Sequence, residues 1–328
     1  MAYKGESMIA SLTTQMNYRR LLWIALHQLL IALPMAAQDL DPRAYLWVPV
    51  KTNTLVTGFS YSEGGVVTDP TLPIQDLEAS VQVASLGYVH AFNLFGLTSQ
   101  AMVVQPYSWA QVSGKVTGQS QSITRSGFAD ARLRLTVLVY GAPAVSLAEF
   151  AKAPKKTIVG VSMNIVAPTG QFFSDKLINL GTNRWSFRPE IALSQPVGKR
   201  WLIDTYAGIW FFTNNSSFYP GDALRTQQPM GAFQAHISYN IRPRLWVALN
   251  ATYYTGGKSA VNDIYNDDRQ ENTRVGVTMV TPVGKNHSLK FSASTGAVVR
   301  VGQDFTTFSI GWQRSWFGKT PDRAPTPE

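Results

Sequence analysis

Asp130-Ala131-Arg132-Leu133-Arg134-Leu135-Thr136-Val137-Leu138-Val139 separates into two faces when alternate residues are grouped. Asp130, Arg132, Arg134 and Thr136 fall on one face, and Ala131, Leu133, Leu135, Val137 and Val139 on the other. A period of two is that of a β-strand, here with one apolar and one charged face. A soluble sandwich strand also alternates, but its inward face rarely carries three charges in five residues. Unpaired interior ions cost several kcal/mol each.

The pattern recurs. Alternating segments lie near residues 55–61, 77–83, 97–105, 129–139, 159–165, 185–193, 201–213, 233–240, 245–253, 272–279, 289–300 and 308–313. The connections between them alternate too. Short ones at 93–96, 195–199, 242–244 and 282–286 interleave with long ones at 62–75, 108–125, 169–183, 214–229 and 256–270. Short periplasmic turns and long external loops are the signature of an outer-membrane barrel. One connection breaks the rule: 141–156 is long where a turn is expected, with a helical piece through Leu147-Ala148-Glu149-Phe150.

Composition agrees. Charged residues make up 15% of the 328 and aromatics 12%. A soluble domain carries about 25% charged residues. The one candidate apolar run, residues 21–33, is shorter than the ~20 residues of a membrane helix. The expected fold is therefore all-β: a transmembrane, antiparallel, up-and-down barrel of about 12 strands. Trp185, Trp201, Tyr253, Trp312, Trp316 and Phe317 are expected at the membrane interfaces, with Tyr45, Tyr107, Trp109 and Tyr254 as further candidates.

The N-terminus has the three parts of an export signal. Arg19-Arg20 precede an apolar run at 21–33, and Pro34-Met35-Ala36-Ala37 follow. Cleavage is expected near Ala37, with residues 1–15 an extension ahead of Met16. Residues 38–53 then form a short periplasmic segment, 54–317 the barrel and 318–328 a polar periplasmic tail rich in proline. The formal charge is +9. Residues 1–37 hold three basic residues and one acid, so their loss leaves 26 basic against 19 acidic, or +7. These charges are scattered, without the basic-aromatic block of a nucleic-acid module.

The charged face of each strand should line the bore. The expected lumen set is Asp130, Arg132, Arg134, Arg184, Arg188, Glu190, Asp204, Arg274, Lys290 and Arg300. Seven are basic and three acidic, so the bore is net positive, and rings of charge select among solutes. The same charges could instead form a salt-bridge ladder that fills the space.

Several motifs then point to one family. They are Gly127-Phe128-Ala129-Asp130, Ala167-Pro168-Thr169-Gly170-Gln171, Asn179-Leu180-Gly181-Thr182-Asn183-Arg184-Trp185, Arg188-Pro189-Glu190, and Tyr239-Asn240-Ile241-Arg242-Pro243-Arg244-Leu245-Trp246. With Asp39-Leu40-Asp41-Pro42-Arg43-Ala44-Tyr45, they span nearly the whole mature chain. The chain resembles the outer-membrane family named for the meta-pathway of phenol degradation. That resemblance implies passage of aromatic or hydrophobic compounds. The positive bore favours anionic aromatic acids among them.

Enzymatic alternatives are poorer. His236, Ser238 and Asn240 share one strand face, as a barrel phospholipase would need, but alternation makes them lumen lining. Asp263, Asp267 and Asp268 share one loop and could hold Ca²⁺, or simply be solvated. Cysteine is absent and histidines number four, so no metal or cofactor is expected. The expected partners are outer-membrane lipids, a small solute moving passively, and the barrel assembly machinery through the last strand. No nucleic acid is expected. The alternative is a structural barrel plugged by its own arginines.

Overall fold

The computed structural model describes residues 40–67, 74–116, 119–176, 178–219 and 221–318. The expected signal segment and most of the C-terminal tail lie outside them.

The segments that alternate in sequence are strands. The first five are β1 (Thr52–Val67), β2 (Ile74–Leu94), β3 (Leu97–Val116), β4 (Gln119–Phe128) and β5 (Ala131–Tyr140). A short helix, α1 (Leu147–Phe150), precedes β6 (Ile158–Ala167), β7 (Ser186–Val197) and β8 (Trp201–Phe212). Then come β9 (Asn215–Phe218), β10 (Ala223–Gln227), β11 (Met230–Arg242), β12 (Leu245–Gly256), β13 (Ser259–Val261) and β14 (Ile264–Tyr265). The chain ends with β15 (Gln270–Pro282), β16 (His287–Val298) and β17 (Gly302–Phe317).

Every neighbouring pair in the main sheet is antiparallel. β1 pairs with both β2 and β17, which closes the sheet into a barrel and leaves no edge in the apolar zone. The barrel has 12 staves, because β4 and β5 follow one another along β3 and share a place. The small strands β9, β10, β13 and β14 form a separate sheet in the long loops.

The break between β4 and β5 has a local cause. Opposite it on β3 sits Pro106, which has no N–H to give the ladder. Ala129 N–H donates to the Pro106 carbonyl at 3.1 Å, and Asp130 steps out of the strand.

Alternation sets the faces. On β5, Leu135 is 47% exposed and Arg134 only 7%. The apolar side therefore meets lipid and the charged side the interior. Over part of β2 and β3 the interior is apolar instead. Val89, Met102 and Val104 cluster there with Val56 of β1. The lumen wall is thus amphipathic around its circumference.

Aromatic pairs mark both rims: Trp201 with Tyr239 and Trp316 with Tyr88 near the short turns, and Trp185 with Phe187 near the long loops. Trp201 and Phe211 both face outward on β8. Ten residues at ~3.3 Å, on a strand tilted ~40°, separate them by about 25 Å along the membrane normal, the height of an apolar band. Tyr253 also faces outward, Trp312 is half-buried against His287, and Phe317 at the end of β17 is half-buried.

The 141–157 segment folds under the barrel. α1 begins with a capping box, in which Ser146 and Glu149 satisfy each other's backbone N–H groups. That turn places Phe150 edge-on against Trp47, with ring centroids 4.8 Å apart.

A plugged lumen as the candidate functional site

Residues 40–51, expected beneath the barrel, lie inside it. Arg43-Ala44-Tyr45-Leu46-Trp47-Val48 are all buried. From Ala44 to Val48 the run is apolar on every side because it is enclosed on every side. Its backbone cannot pair with water, so the wall supplies partners. Arg43 N–H donates to Asp204 Oδ2 at 3.3 Å, and Ala44 N–H to the Tyr206 hydroxyl at 3.1 Å. The Leu46 carbonyl accepts from Gln100 Nε2 at 3.0 Å. Nearer the periplasm, Val50 N–H donates to the Val145 carbonyl and Lys51 N–H to that of Ala91.

The side chains of this plug complete the wall's charges. The Tyr45 hydroxyl donates to Glu190 Oε1 at 2.8 Å and lies 2.7 Å from Ser162 Oγ. Glu190 also pairs with Arg134 at 3.4 Å and Arg188 at 3.3 Å. The Arg134 guanidinium covers the Tyr45 ring at 4.5 Å. Asp41 bridges Arg134 at 3.7 Å and Lys290 at 3.6 Å. Arg43 stacks on the Trp246 ring at 4.2 Å and bonds Asn240. Ions buried in this way need close partners to offset desolvation, and here one plug carboxylate and one wall carboxylate serve three wall cations.

Tyr45 fits because the wall opposite has no side chain. A Cβ on Gly160 would lie 2.5 Å from Tyr45 Cδ1. Tyr45 is therefore a lumen residue, not the interface aromatic that its ring suggests.

Beside the plug a narrow cavity of about 50 Å³ remains, lined by Ser60, Ser292, Ser294, Ser309 and Lys290. At 10–15 Å³ per water it holds about four.

Above the plug, Asp130 joins the β4–β5 break to the 168–185 loop. Its carboxylate accepts from Gly170 N–H at 2.9 Å, Thr182 N–H at 2.8 Å and Thr182 Oγ1 at 2.6 Å. Gly170 permits this close approach: a Cβ there would sit 2.7 Å from Asp130 N. Under the loop is a cavity of about 450 Å³. Val81, Val83, Val112, Ile178 and Leu180 form its sides, and Asp130 and Arg132 line it too.

The other expected lumen residues fall in distinct places. Arg184 bonds Gln227 and covers the Phe212 ring at 4.5 Å, near the external end. Arg188 lies over the Trp210 ring at 4.8 Å. Arg274 donates to the Phe305 carbonyl at 2.6 Å. Arg300 is a correction: it is exposed beyond the end of β16, bonded to Asp267 and the Arg269 carbonyl. The register shifts between Thr273 and Arg274 opposite that end, so the parity that holds at Ser294 is lost by residue 300. Asp41 and Arg43 of the plug, and Tyr206 and Gln100 of the wall, are not among the site residues that the sequence suggests, while His236 stands where alternation puts it, in the lumen wall.

No catalytic contact forms on β11. His236 Nδ1 lies 2.9 Å from Asn250 Oδ1, and the buried Ser238 Oγ has no hydrogen-bond partner. Asp268 receives two bonds from Ser259 while Asp267 turns to Arg300, so the loop carboxylates do not converge.

The fold matches solved outer-membrane barrels. The COG4313 outer membrane channel from Pseudomonas putida F1 superposes with a TM-score of 0.74 at 21% identity, over 85% of this chain and 100% of that one. The transport unit of the autotransporter AIDA-I from Escherichia coli gives 0.53 at 10% identity, over 91% and 97%. No curated protein is significantly similar in sequence. The family model described as "Putative MetA-pathway of phenol degradation" matches residues 45–319, from the plug tyrosine past the last strand, and the chain belongs to that family.

Proposed function

We propose that this barrel is an outer-membrane channel for small aromatic solutes, aromatic carboxylates foremost, which move down their gradient when residues 40–51 leave the bore. The carrying observation is the cavity above the plug. Its 450 Å³ lies within the ~300–1,000 Å³ of ordinary ligand sites. Apolar walls suit a ring, and the Arg132 guanidinium offers the planar fork that carboxylates prefer. Below it, Arg134 and Arg188 continue a cationic path along one side of the bore, with Lys290 of β16 across from them. The apolar lumen face of β2 and β3 lies directly beside it, Met102 pairing with Arg134 across the ladder. A neutral ring gains from one wall and an anion from both.

Export through the N-terminal signal, and insertion by the barrel assembly machinery through β17, complete this reading. The test is uptake into proteoliposomes. Arg132→Gln should slow benzoate entry about tenfold and leave toluene entry unchanged, the loss expected for one charge-assisted contact. Equal effects on both solutes would refute a carboxylate role for Arg132.

A second reading, a structural barrel that passes nothing, draws on the same plug. It predicts no conductance above the bare bilayer under any variant that loosens residues 40–51.

A further inference from the structure

A second cavity, of about 470 Å³, opens at the periplasmic rim. Seven of its lining residues are cationic and none is acidic. Four elements supply them: Lys155 and Lys156 from the segment after α1, Lys199 and Arg200 from the β7–β8 turn, Arg242 and Arg244 from the β11–β12 turn, and Arg43 from the plug.

Some of this charge is already committed. Arg200 bonds the Tyr239 hydroxyl, and Arg244 donates to the Gly284 and His287 carbonyls. Arg43 is nine-tenths buried, and its Nε has no acceptor. Partial burial, and then the nearby Arg43, hold the Lys155 ammonium below the usual lysine value. Like charges gathered in this way repel unless an anion sits among them.

The cavity's other wall says which anion. Leu46, Ile158, Leu202, Trp201 and Ile241 are apolar. Trp201 and Ile241 also face the membrane from the barrel exterior. Tryptophan at a barrel rim marks headgroup depth. The cavity therefore reaches from beneath the plug to the phospholipid headgroups of the periplasmic leaflet, where basic pockets hold anionic lipid.

We propose that this cavity binds the phosphate headgroup of an anionic phospholipid, and through Arg43 ties the plug to the rim. The proposal does not depend on which solute the channel passes.

Native mass spectrometry of the full protein in detergent tests it, with phosphatidylglycerol and phosphatidylethanolamine of the same chains as probes. The wild type should retain phosphatidylglycerol at least about tenfold better. Lys155, Lys156 and Arg242 are exposed, so Lys155→Gln/Lys156→Gln/Arg242→Gln leaves the barrel fold intact and should bring the two lipids to parity. Lys51→Gln/Lys285→Gln/Arg314→Gln removes the same charge from the same rim outside the cavity and should keep the preference. Equal retention of both lipids by the wild type, or equal loss in both triple variants, overturns the site. Displacement by millimolar inorganic phosphate as effective as by short-chain phosphatidylglycerol would assign the site to free phosphate and overturn the lipid.

Discussion

Replacing Tyr45 with phenylalanine removes one oxygen from the centre of the plug and nothing else. The ring keeps its place over Gly160, its contact with Tyr206 at 5.0 Å and the Arg134 guanidinium on its face. Two bonds go: the one donated to the Glu190 carboxylate at 2.8 Å and the one shared with Ser162 at 2.7 Å. A hydrogen bond to a charged group contributes about 1.5–3 kcal/mol and a neutral one about 1. Some of that returns when the plug leaves and water reaches Glu190, so the seated plug loses about 2–3 kcal/mol. At 1.36 kcal/mol per factor of ten, the unseated fraction rises about 30- to 150-fold. Hydrogen exchange followed by mass spectrometry reads this directly. The peptide covering residues 40–51 should exchange faster by that factor, while peptides from β11, β12 and β15 keep wild-type rates. Unchanged exchange over 40–51 would refute the claim that these bonds seat the plug. Uniform acceleration across the strands would show instead that they hold the barrel.

Two further substitutions probe neighbouring parts. Gly160→Ala puts a methyl where Tyr45 Cδ1 sits, and should unseat the plug about as strongly as Tyr45→Phe. Combined with Tyr45→Ala, it should add almost nothing in the same exchange assay, because the clash is gone. Asp130→Asn weakens the three bonds that hold the 168–185 loop and should raise trypsin cleavage after the exposed Lys176 about tenfold. An unchanged cleavage rate would mean that the loop is held elsewhere.

The staves were legible because each carries its own evidence. Period two within ten residues names a strand, and interleaved connection lengths orient it. α1 was legible as a short helical piece, and the capping box of Ser146 and Glu149 that starts it is local too. The plug has no such mark. Residues 43–48 lack any period, and the run is too short for a membrane. Their partners lie far along the chain, Asp204 161 residues from Arg43 and Glu190 145 from Tyr45. Only closure of the barrel brings them together. The apolar lumen face of β2 was hidden for a different reason: alternation reports two faces but not which one looks inward. Asp130 headed the most informative strand in the sequence, yet its carboxylate serves the loop above, since Pro106 opposite breaks the ladder at that point.

Single-channel recording in planar bilayers puts the account at most risk. The full chain and a variant lacking residues 40–48 would be compared under a salt gradient. The account predicts a nearly closed full-length barrel, and large, steady, anion-preferring openings once the plug is removed. Equal currents from the two, or a cation preference in the truncated channel, would contradict it.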